Sequence, residues 1–511
     1  MDSEAKLFLD AVHYYDAFSL NILTVLTTQT WHDDAEKDTN AAIRRLLARI
    51  LCTFSECTGA HKIDFSNLSE IGMVGNSLFP FLRKRYLDSY NALSSLADEG
   101  SISEKQFLYE LAFQKTYPRI FVENIADRLK PFHDFLAKYG TNESDISNGL
   151  TSLIIQLSRP KDILEMVTPQ TFNMGGHLKR SLLKALSEAN EKISSLENIN
   201  PFSKEPFFPV RKMEGMYCLL HAETLIDSFY KTVHRLCMNS SNQKEKDILM
   251  SAKGRNFNEM CFRLFRFGFG FDSVYENLSY SKGEIDLLIV DKDCLFVIEC
   301  KSRNYTDKIS GLSPNYQKAN QSNLDQASKQ LDRFLTVFSH DESVAMKTNA
   351  GDTVRLRRRD YAIIIPLVIN LDNFAELNAD YDSRDANCVY ISYDDLTIIH
   401  DVIGHRKWLL VDFLYQLKEL ARPGAAADDI IDMFAFYGQC KNLSLLFEEK
   451  TNVIIDGLGN DYFNVYFSFA TNVNPIGSFE NDIATFSMCD NETYVDTIER
   501  YHQKYWRRGL K

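Results

Sequence analysis

The sequence predicts an α/β domain between about residues 250 and 400, in which helices flank a mixed sheet in the order α-β-β-β-α-β. Continuous apolar runs such as LLIV and LFVI are typical of strands that are buried on both faces. One helix-like stretch precedes the first three predicted strands, and another follows them. A sheet with helices packed on its faces is the architecture that buries such strands.

The elements of this domain follow one another in a clear order. A helix is expected at about 257 to 267, and the strand-like runs DSVYENLSY, GEIDLLIVD and CLFVIECKS come next. A second helix is expected from about Asn323 to Phe338, followed by two strands, YAIIIPLVIN and CVYISYDDL. The short DKD connection predicts that the second and third strands are hairpin neighbours.

The rest of the chain is expected to form two further regions. Residues 1–245 are predicted to be a mostly helical domain, because their apolar residues recur at three- and four-residue spacing. Its last helix is expected from about Glu214 to Cys237, and the polar stretch NSSNQKEKD (239–247) is interpreted as a linker or a domain edge. Residues 401–511 are predicted to be an α+β region that begins with the helical segment KWLLVDFLYQLKEL and continues with a loop at 422–429.

Composition excludes several classes of protein. Hydrophobic residues make up 45% and charged residues 25%, as in soluble globular domains. The longest apolar run, Tyr361 to Ile369, is far shorter than the roughly 20 residues that a membrane span needs, and no secretory signal is recognisable at the N-terminus. The ten cysteines show no CxxC spacing and are interpreted as reduced thiols of a cytoplasmic protein. No GxxxxGK[ST] loop is present, so no NTPase is expected.

The distribution of charge points to one place where a polyanion can approach. The formal net charge of −13 argues against a surface that binds nucleic acid nonspecifically. From residue 301 to 333, however, six basic residues stand against three acidic ones. The segments RLRRRD (355–360) and KYWRRGLK at the C-terminus are also basic; each is interpreted either as a phosphate contact or as a solvated loop or tail.

Three residues at the ends of two predicted strands carry the chemistry. Asp286 lies in GEIDLLIV, and Glu299 and Lys301 end the strand LFVIECK. Residues i and i+2 of a strand share a face, so Glu299 and Lys301 are expected to project together while Cys300 faces the other side. The hairpin is expected to bring Asp286 near Glu299.

Two clustered carboxylates repel each other and resist burial, so they favour a hard divalent cation, Mg²⁺ or Mn²⁺. Lys301 beside such a cation can orient or deprotonate a water, or stabilise charge on a phosphate. A metal with a positioned water is a common way to hydrolyse an unactivated phosphodiester. The pattern therefore predicts a metal-dependent nuclease site.

The segments GRNFNE, GEIDLLIV, FVIECKS and DQASKQLDRF, from Gly254 to Phe338, resemble the PD-(D/E)xK nuclease superfamily, most closely its Mrr-like and nuclease-related (NERD) branches. The resemblance implies that a helix glutamate, a strand aspartate, the ExK pair and a glutamine of the next helix gather round the metal. It assigns these roles to Glu259, Asp286, Glu299, Lys301 and Gln326, with Glu259, Asp286 and Glu299 as metal ligands. Gln330, four residues after Gln326 on the same helix face, is the alternative glutamine.

Each of these residues also has a structural interpretation. Glu259 stands three residues after Asn256, the spacing of a capping box, and four before Arg263, the spacing of an intrahelical ion pair. Asp286 could be an acid at a strand end, and Glu299 with Lys301 a solvated pair on an edge strand. Either glutamine could belong to the wet face of an amphipathic helix.

The sequence is compatible with three functions. The first is a metal-dependent endonuclease, with DNA favoured over RNA, whose N-terminal helical region acts as a sensor, specificity or assembly module, in the manner of prokaryotic defence or restriction systems. The second is an inactive nuclease-like scaffold that binds nucleic acid or protein. The third is a helical interaction protein whose resemblance is accidental. Two cuts in a duplex usually require two active sites, which favours a homo-oligomer; a partner protein bound through the helical region is the other arrangement, and no membrane partner is expected.

Overall fold

The computed structural model describes most of the chain up to residue 443. The described residues are 3–29, 34–54, 59–99, 122–157, 168–196, 199, 201, 206–222, 224–303, 316–349, 351–372, 388–420, 425–427, 430–440, 442–443 and 453–455.

Helices dominate the part of the chain before residue 270, as predicted. The described α-helices of the whole chain are α1 (Ser3–Tyr14), α2 (Ala17–Gln29), α3 (Asp34–Thr53), α4 (Leu68–Asp98), α5 (Val122–Leu129), α6 (His133–Ala137), α7 (Glu143–Leu157), α8 (Arg180–Glu188), α9 (Leu225–Ser240), α10 (Gln243–Arg263), α11 (Tyr316–His340), α12 (Tyr393–Ile403), α13 (Lys407–Leu420) and α14 (Ile430–Cys440).

The described strands form one large sheet and two small ones. Their bounds are β1 (Val210–Met213), β2 (Met216–Leu219), β3 (Ser273–Tyr280), β4 (Gly283–Asp291), β5 (Cys294–Lys301), β6 (Val344–Lys347), β7 (Thr353–Leu356), β8 (Ile363–Asn370), β9 (Val389–Ser392), β10 (Ala425–Ala427) and β11 (Val453–Ile455).

The large sheet has seven strands in the order β7-β6-β3-β4-β5-β8-β9. β3, β4 and β5 form an antiparallel meander, whereas β5, β8 and β9 run parallel to one another. The predicted α-β-β-β-α-β order is therefore observed as α10, β3, β4, β5, α11 and β8. β6 and β7 form an additional hairpin between α11 and β8.

Apolar residues cover both faces of this sheet, which confirms the predicted layering. Leu295 and Val297 of β5 pack with Leu331 and Phe334 of α11 on one face. Phe296 of β5 and its face neighbours belong to a larger apolar cluster that extends through α10 to the N-terminal helices and to α12, α13 and α14. Because successive strand residues alternate between faces, the apolar runs of β4, β5 and β8 serve both clusters.

Two predictions about the segment before the sheet were wrong. The residues expected to begin a helix at Glu214 instead form the turn of the β1–β2 hairpin, where Glu214 and Gly215 both have positive φ, of 47° and 82°. The residues interpreted as a linker hold the end of α9 and the start of α10. Asn242 and Glu245 form a reciprocal capping box there, which satisfies backbone donors of the first helical turn.

Three further predictions concern the cysteines, the membrane spans and the segment after residue 420. The described cysteines at 52, 218, 237, 261, 294, 300 and 388 form no disulfide with one another and are buried. Among the described residues, no helix is both long enough and apolar enough to cross a membrane. The segment expected to be a loop at 422–429 contains β10, which pairs in parallel with β11, and the basic C-terminal segment lies outside the described residues.

Candidate functional site

The site lies where β4 and β5 separate. Their ladder extends from the hairpin turn to the pair Leu287↔Ile298. Asp286 and Glu299 are the next residues on the two strands. The Asp286 carboxylate occupies the gap, since its Oδ2 accepts a hydrogen bond from the backbone N–H of Cys300 at 2.8 Å. The side chain of Asp286 thus replaces the strand carbonyl that an uninterrupted ladder would provide.

A local irregularity of β3 and β4 accompanies this placement. Asn277 lies opposite Asp286, between the pairs Glu276↔Leu287 and Leu278↔Ile285, and has a φ of 52°. Asparagine tolerates this left-handed conformation better than most residues do. On β4, Ile285 packs on the face of α11 and Leu287 on the opposite face, so the regular alternation is interrupted at Asp286.

Glu299 and Lys301 project together from the end of β5, as the strand alternation predicts. The Lys301 Nζ donates hydrogen bonds to Glu299 Oε2 at 3.0 Å and to Gln330 Oε1 of α11 at 2.9 Å. Cys300 faces the other way and packs in the larger apolar cluster. The side chain of Glu299 is 1% exposed and that of Lys301 18%, so the lysine lies between the buried acid and the solvent.

Asp286 affects the ionisation of the buried Glu299. Burial and the negative charge of Asp286 raise the pKa of Glu299 to about 8, although the adjacent Lys301 opposes the shift. Glu299 Oε1 is buried and accepts no hydrogen bond from a described residue, and the Glu299 carboxyl lies within hydrogen-bond range of the Asp286 side chain. Leaving such an atom unsatisfied is costly, so the position calls for a further cation or proton donor.

Helix α10 reaches this pair through Asn258. The Asn258 Nδ2 donates a hydrogen bond to Asp286 Oδ1 at 3.2 Å. The structure does not bring Glu259 to the carboxylates: its side chain is 56% exposed and lies 3.8 Å from Arg263. The expected capping box of Asn256 is also absent, because α10 begins at Gln243 and Asn256 instead donates to the Asp127 carbonyl.

Helix geometry explains why Asn258 takes this place. Each residue turns an α-helix by about 100°, so Asn258 lies about 60° from the buried Cys261, whereas Glu259 lies about 160° from it. The apolar spacing of Phe257 and Cys261 marks the buried stripe. That stripe was the signal in the sequence that could have found Asn258.

The two candidate glutamines of α11 separate clearly. Gln330 is half-buried and accepts the hydrogen bond from Lys301, whereas Gln326, one turn earlier, is exposed. The structure therefore places the alternative glutamine, and not Gln326, beside the lysine.

These elements lie within one segment of known type. Residues 253–349 match the nuclease-related domain (NERD) family. The predicted resemblance to the NERD branch is thereby confirmed. The match to this nuclease-related domain includes Asn258, Asp286, Glu299, Lys301 and Gln330. No curated protein and no solved structure matches the chain.

The nuclease-related domain offers two carboxylates to a metal. Among the described residues, no three His, Cys, Asp or Glu side chains come together as a metal site. Mg²⁺ is commonly held by only one or two carboxylates, with waters and substrate phosphates as the remaining ligands. The unpartnered Glu299 Oε1 beside Asp286 fits such an ion, because the cation would relieve both the repulsion and the missing partner.

The basic segment RLRRRD lies elsewhere. Its residues end the edge strand β7 and form the short turn that follows, and Arg355, Arg357, Arg358 and Arg359 are exposed. Arg358 donates a hydrogen bond to the Tyr361 carbonyl. The segment follows the matched residues of the nuclease-related domain and contributes no side chain to the carboxylate site.

Proposed function

We propose that the nuclease-related domain is an active, metal-dependent endonuclease that hydrolyses phosphodiester bonds, with DNA as the favoured substrate. The observation that carries the proposal is the pair Asp286 and Glu299, with an unpartnered buried oxygen on Glu299 and the ammonium of Lys301 at 3.0 Å. Two neighbouring carboxylates beside a lysine are typical of a site that binds a metal ion and a phosphate, because their mutual repulsion makes them unfavourable as a purely structural pair.

Each residue has a definite part in this proposal. Asp286 and Glu299 would hold Mg²⁺ or Mn²⁺, and the ion would supply Lewis-acid activation of the phosphate and of the attacking water. Lys301 stabilises the negative charge that develops on the phosphate. Gln330 keeps the lysine in place through its hydrogen bond, and Asn258 together with the Cys300 N–H orients Asp286.

The N-terminal helices are proposed to act as a sensor, specificity or assembly module. Arg128 of α5 supports this role, because it donates to the Leu371 carbonyl at 3.2 Å. Leu371 in turn donates its N–H to the Lys301 carbonyl at 2.9 Å. The helical region is thus two hydrogen bonds away from the catalytic lysine. A role in host defence rests only on the pairing of such a module with a nuclease.

The test compares cleavage by the wild type, Glu299→Gln and Glu284→Gln. Glu284 is an exposed acid on β4 and provides a control with the same chemical change. Supercoiled plasmid, single-stranded DNA and RNA are each incubated with Mg²⁺, with Mn²⁺ and with excess EDTA. We expect cutting by the wild type and by Glu284→Gln with metal only, and none by Glu299→Gln.

Two results contradict the proposal. Cutting in excess EDTA, or by Glu299→Gln at the wild-type rate, removes the carboxylate pair from the mechanism. A wild-type protein that cuts none of the three substrates with either metal supports the alternative of an inactive scaffold. The substrate that is cut fastest decides between DNA and RNA.

A further inference from the structure

One face of α11 continues outward from the catalytic lysine. Gln330, which contacts Lys301, is followed three residues later by Arg333 and preceded by Lys329. Residues three or four apart on a helix are surface neighbours, so Arg333 lies on the turn next to Gln330. Lys329 and Arg333 are both exposed. This surface of α11 therefore carries two exposed cations next to the residue that contacts Lys301.

Tyr280, the last residue of β3, packs against the same helix. Its ring lies edge-on to the ring of Phe334, with centroids 5.4 Å apart and an interplanar angle of 88°. A Cβ placed on Gly283, its partner across the turn, would lie 3.3 Å from the Tyr280 hydroxyl oxygen. The glycine thus leaves room for the ring, which is held between the β3–β4 turn and α11.

The Tyr280 hydroxyl lies within electrostatic range of both the site and Arg333. Burial raises the pKa of Tyr280; the positive charge of Arg333 acts to lower it, and the negative charge of Glu299 acts to raise it further. Arg333 also directly precedes Phe334, the residue against which the Tyr280 ring packs. The hydroxyl and the guanidinium therefore belong to the same end of α11, next to the carboxylate site.

Arg333 is available to bind a ligand. No carboxylate within the described part of the chain forms an ion pair with it. The negative charge of its sequence neighbour Asp332 instead helps to raise the pKa of the buried Cys388. A structural arginine usually has a carboxylate or carbonyl partner, whereas this one is exposed beside a site that itself repels polyanions.

We propose that Arg333 and Tyr280 form a phosphate subsite that holds the nucleic-acid strand next to the bond to be cut. The inference rests on the proposed function and names the part of the substrate, the sugar-phosphate backbone, that this face binds. The guanidinium fork matches two oxygens of one phosphate, and the tyrosine hydroxyl donates a further hydrogen bond. Contacts of this kind position a strand without reading its sequence.

The subsite also addresses an electrostatic problem of the site. A phosphate that approaches Asp286 and Glu299 meets two carboxylates and one lysine, in a chain whose net charge is −13. Arg333 adds a second cation within one helical turn of Gln330. A neighbouring phosphate bound there would anchor the substrate while the scissile phosphate enters the metal site.

The test uses Arg333→Ala, Arg333→Lys and Tyr280→Phe, with Arg357→Ala as the matched control. Arg357 is exposed at the end of β7 and has no ion pair with any described residue. Binding of labelled single-stranded and duplex oligonucleotides of two unrelated sequences is measured in Ca²⁺ over a salt series. Cleavage rates are measured in Mg²⁺, and thermal melts are recorded for each variant.

We expect Arg333→Ala to weaken binding about tenfold at low salt, equally on both sequences. The slope of log affinity against log salt should become shallower by roughly 0.7 to 0.9, the contribution of one phosphate contact. Arg333→Lys should recover the slope but only part of the affinity, because it lacks the fork. Tyr280→Phe should lose a few-fold in affinity, and Arg357→Ala should match the wild type.

The outcomes separate the subsite from the nuclease proposal. Wild-type cutting together with an unchanged affinity and slope for Arg333→Ala overturns the subsite alone. Wild-type binding without cutting overturns the nuclease proposal, and the binding series still decides the subsite. A wild type that neither binds nor cuts overturns both. An equal loss in Arg333→Ala and Arg357→Ala shows only a general charge effect and also overturns the subsite.

Discussion

Charged side chains are buried in two neighbouring clusters at the carboxyl ends of β5, β8 and β9, and the two clusters differ in composition. In the first, Arg128 of α5 contacts Asp394 at 2.5 Å, with side chains 1% and 2% exposed. Lys231 of α9 contacts both Asp227 and Asp372, at 3.1 and 3.2 Å. In this ion-pair cluster, each of these cations lies against carboxylates.

The second cluster, the carboxylate site, has the opposite imbalance. Lys301 contacts Glu299, whereas Asp286 forms no ion pair with a described residue, and a buried oxygen of Glu299 lacks a hydrogen-bond partner. The ion-pair cluster joins the helical region to the sheet. Asp227, Asp372 and Asp394 each contact a cation there, although Asp227 Oδ1 and Asp394 Oδ2 have no hydrogen-bond partner among the described residues. The carboxylate site leaves charge unsatisfied, which costs stability unless a cation or proton arrives. The difference between the two clusters is therefore an acid that contacts no cation, and not the burial of charge itself.

The largest expected effect is on stability, from removal of Arg128. Arg128→Ala leaves Asp394 buried without its cation and should lower the free energy of unfolding by about 3 to 5 kcal/mol. Glu299→Gln should change it little, because the raised pKa of Glu299, about 8, keeps this buried carboxyl largely uncharged at neutral pH in the metal-free protein. Denaturant titration measures both. If Glu299→Gln destabilises as much as Arg128→Ala, the two clusters do not differ in the way inferred here.

The second largest expected effect is on the rate of phosphodiester cleavage. Lys301→Ala should lower the cleavage rate by about 10² to 10³, the loss typical of one group that stabilises developing charge. Lys301→Arg should fail as well, because a planar fork does not replace a compact ammonium. Substrate binding should stay close to wild type, since Lys301 is one of six basic residues in the segment 301–333. A thermal melt checks that the variant is folded. An alanine variant that cuts at the wild-type rate would place the active site elsewhere.

Strand geometry made much of this site predictable. Alternation along β5 determines which face Glu299 and Lys301 share, and the short DKD turn pairs β4 with β5. The same pairing predicts that Asp286 lies near Glu299, and its hydrogen bond to the next residue of β5 agrees with this. Its hydrogen bond to the Cys300 N–H was not predicted, because that bond depends on where the ladder ends.

Helix phase was harder to predict than strand alternation. The start of α10 at Gln243 lies in a polar segment that resembles a linker, so the rotation that points Asn258 and not Glu259 at Asp286 was not evident. Gln326 and Gln330 share one helix face, and only packing against the sheet selects between them. β6 and β7 were missed because they are four residues each, with exposed residues on one face.

A divalent cation should stabilise the carboxylate site and leave the ion-pair cluster unchanged. At a concentration of about 100 times the dissociation constant, Mg²⁺ should add about 2.7 kcal/mol to the stability of the wild type. Glu299→Gln should show no such gain. Ca²⁺ should also stabilise the wild type without supporting efficient cutting, because its coordination is looser. Thermal melts with and without each cation measure this, and an equal gain in both proteins would argue for binding elsewhere.

The smallest expected effect is the pH dependence of metal affinity, which comes from the raised pKa of Glu299, about 8. Because this pKa lies above that of the unfolded chain, Glu299 stabilises the metal-free fold when protonated, and that contribution is lost as pH rises toward about 8. A cation competes with the same proton.

The apparent affinity for Mg²⁺ should therefore increase with pH, by at most about tenfold per unit, and level off above about 8. Calorimetric titrations at several pH values measure this, with proton release checked in buffers of different ionisation enthalpy. Glu299→Gln provides the control, since any residual dependence in it reports other acids, Asp394 among them. An affinity that stays constant from pH 6 to pH 8 would mean that Glu299 is already ionised in the metal-free protein. The lone Lys301 would then suffice to balance both carboxylates, and the contrast with the ion-pair cluster would no longer identify the site.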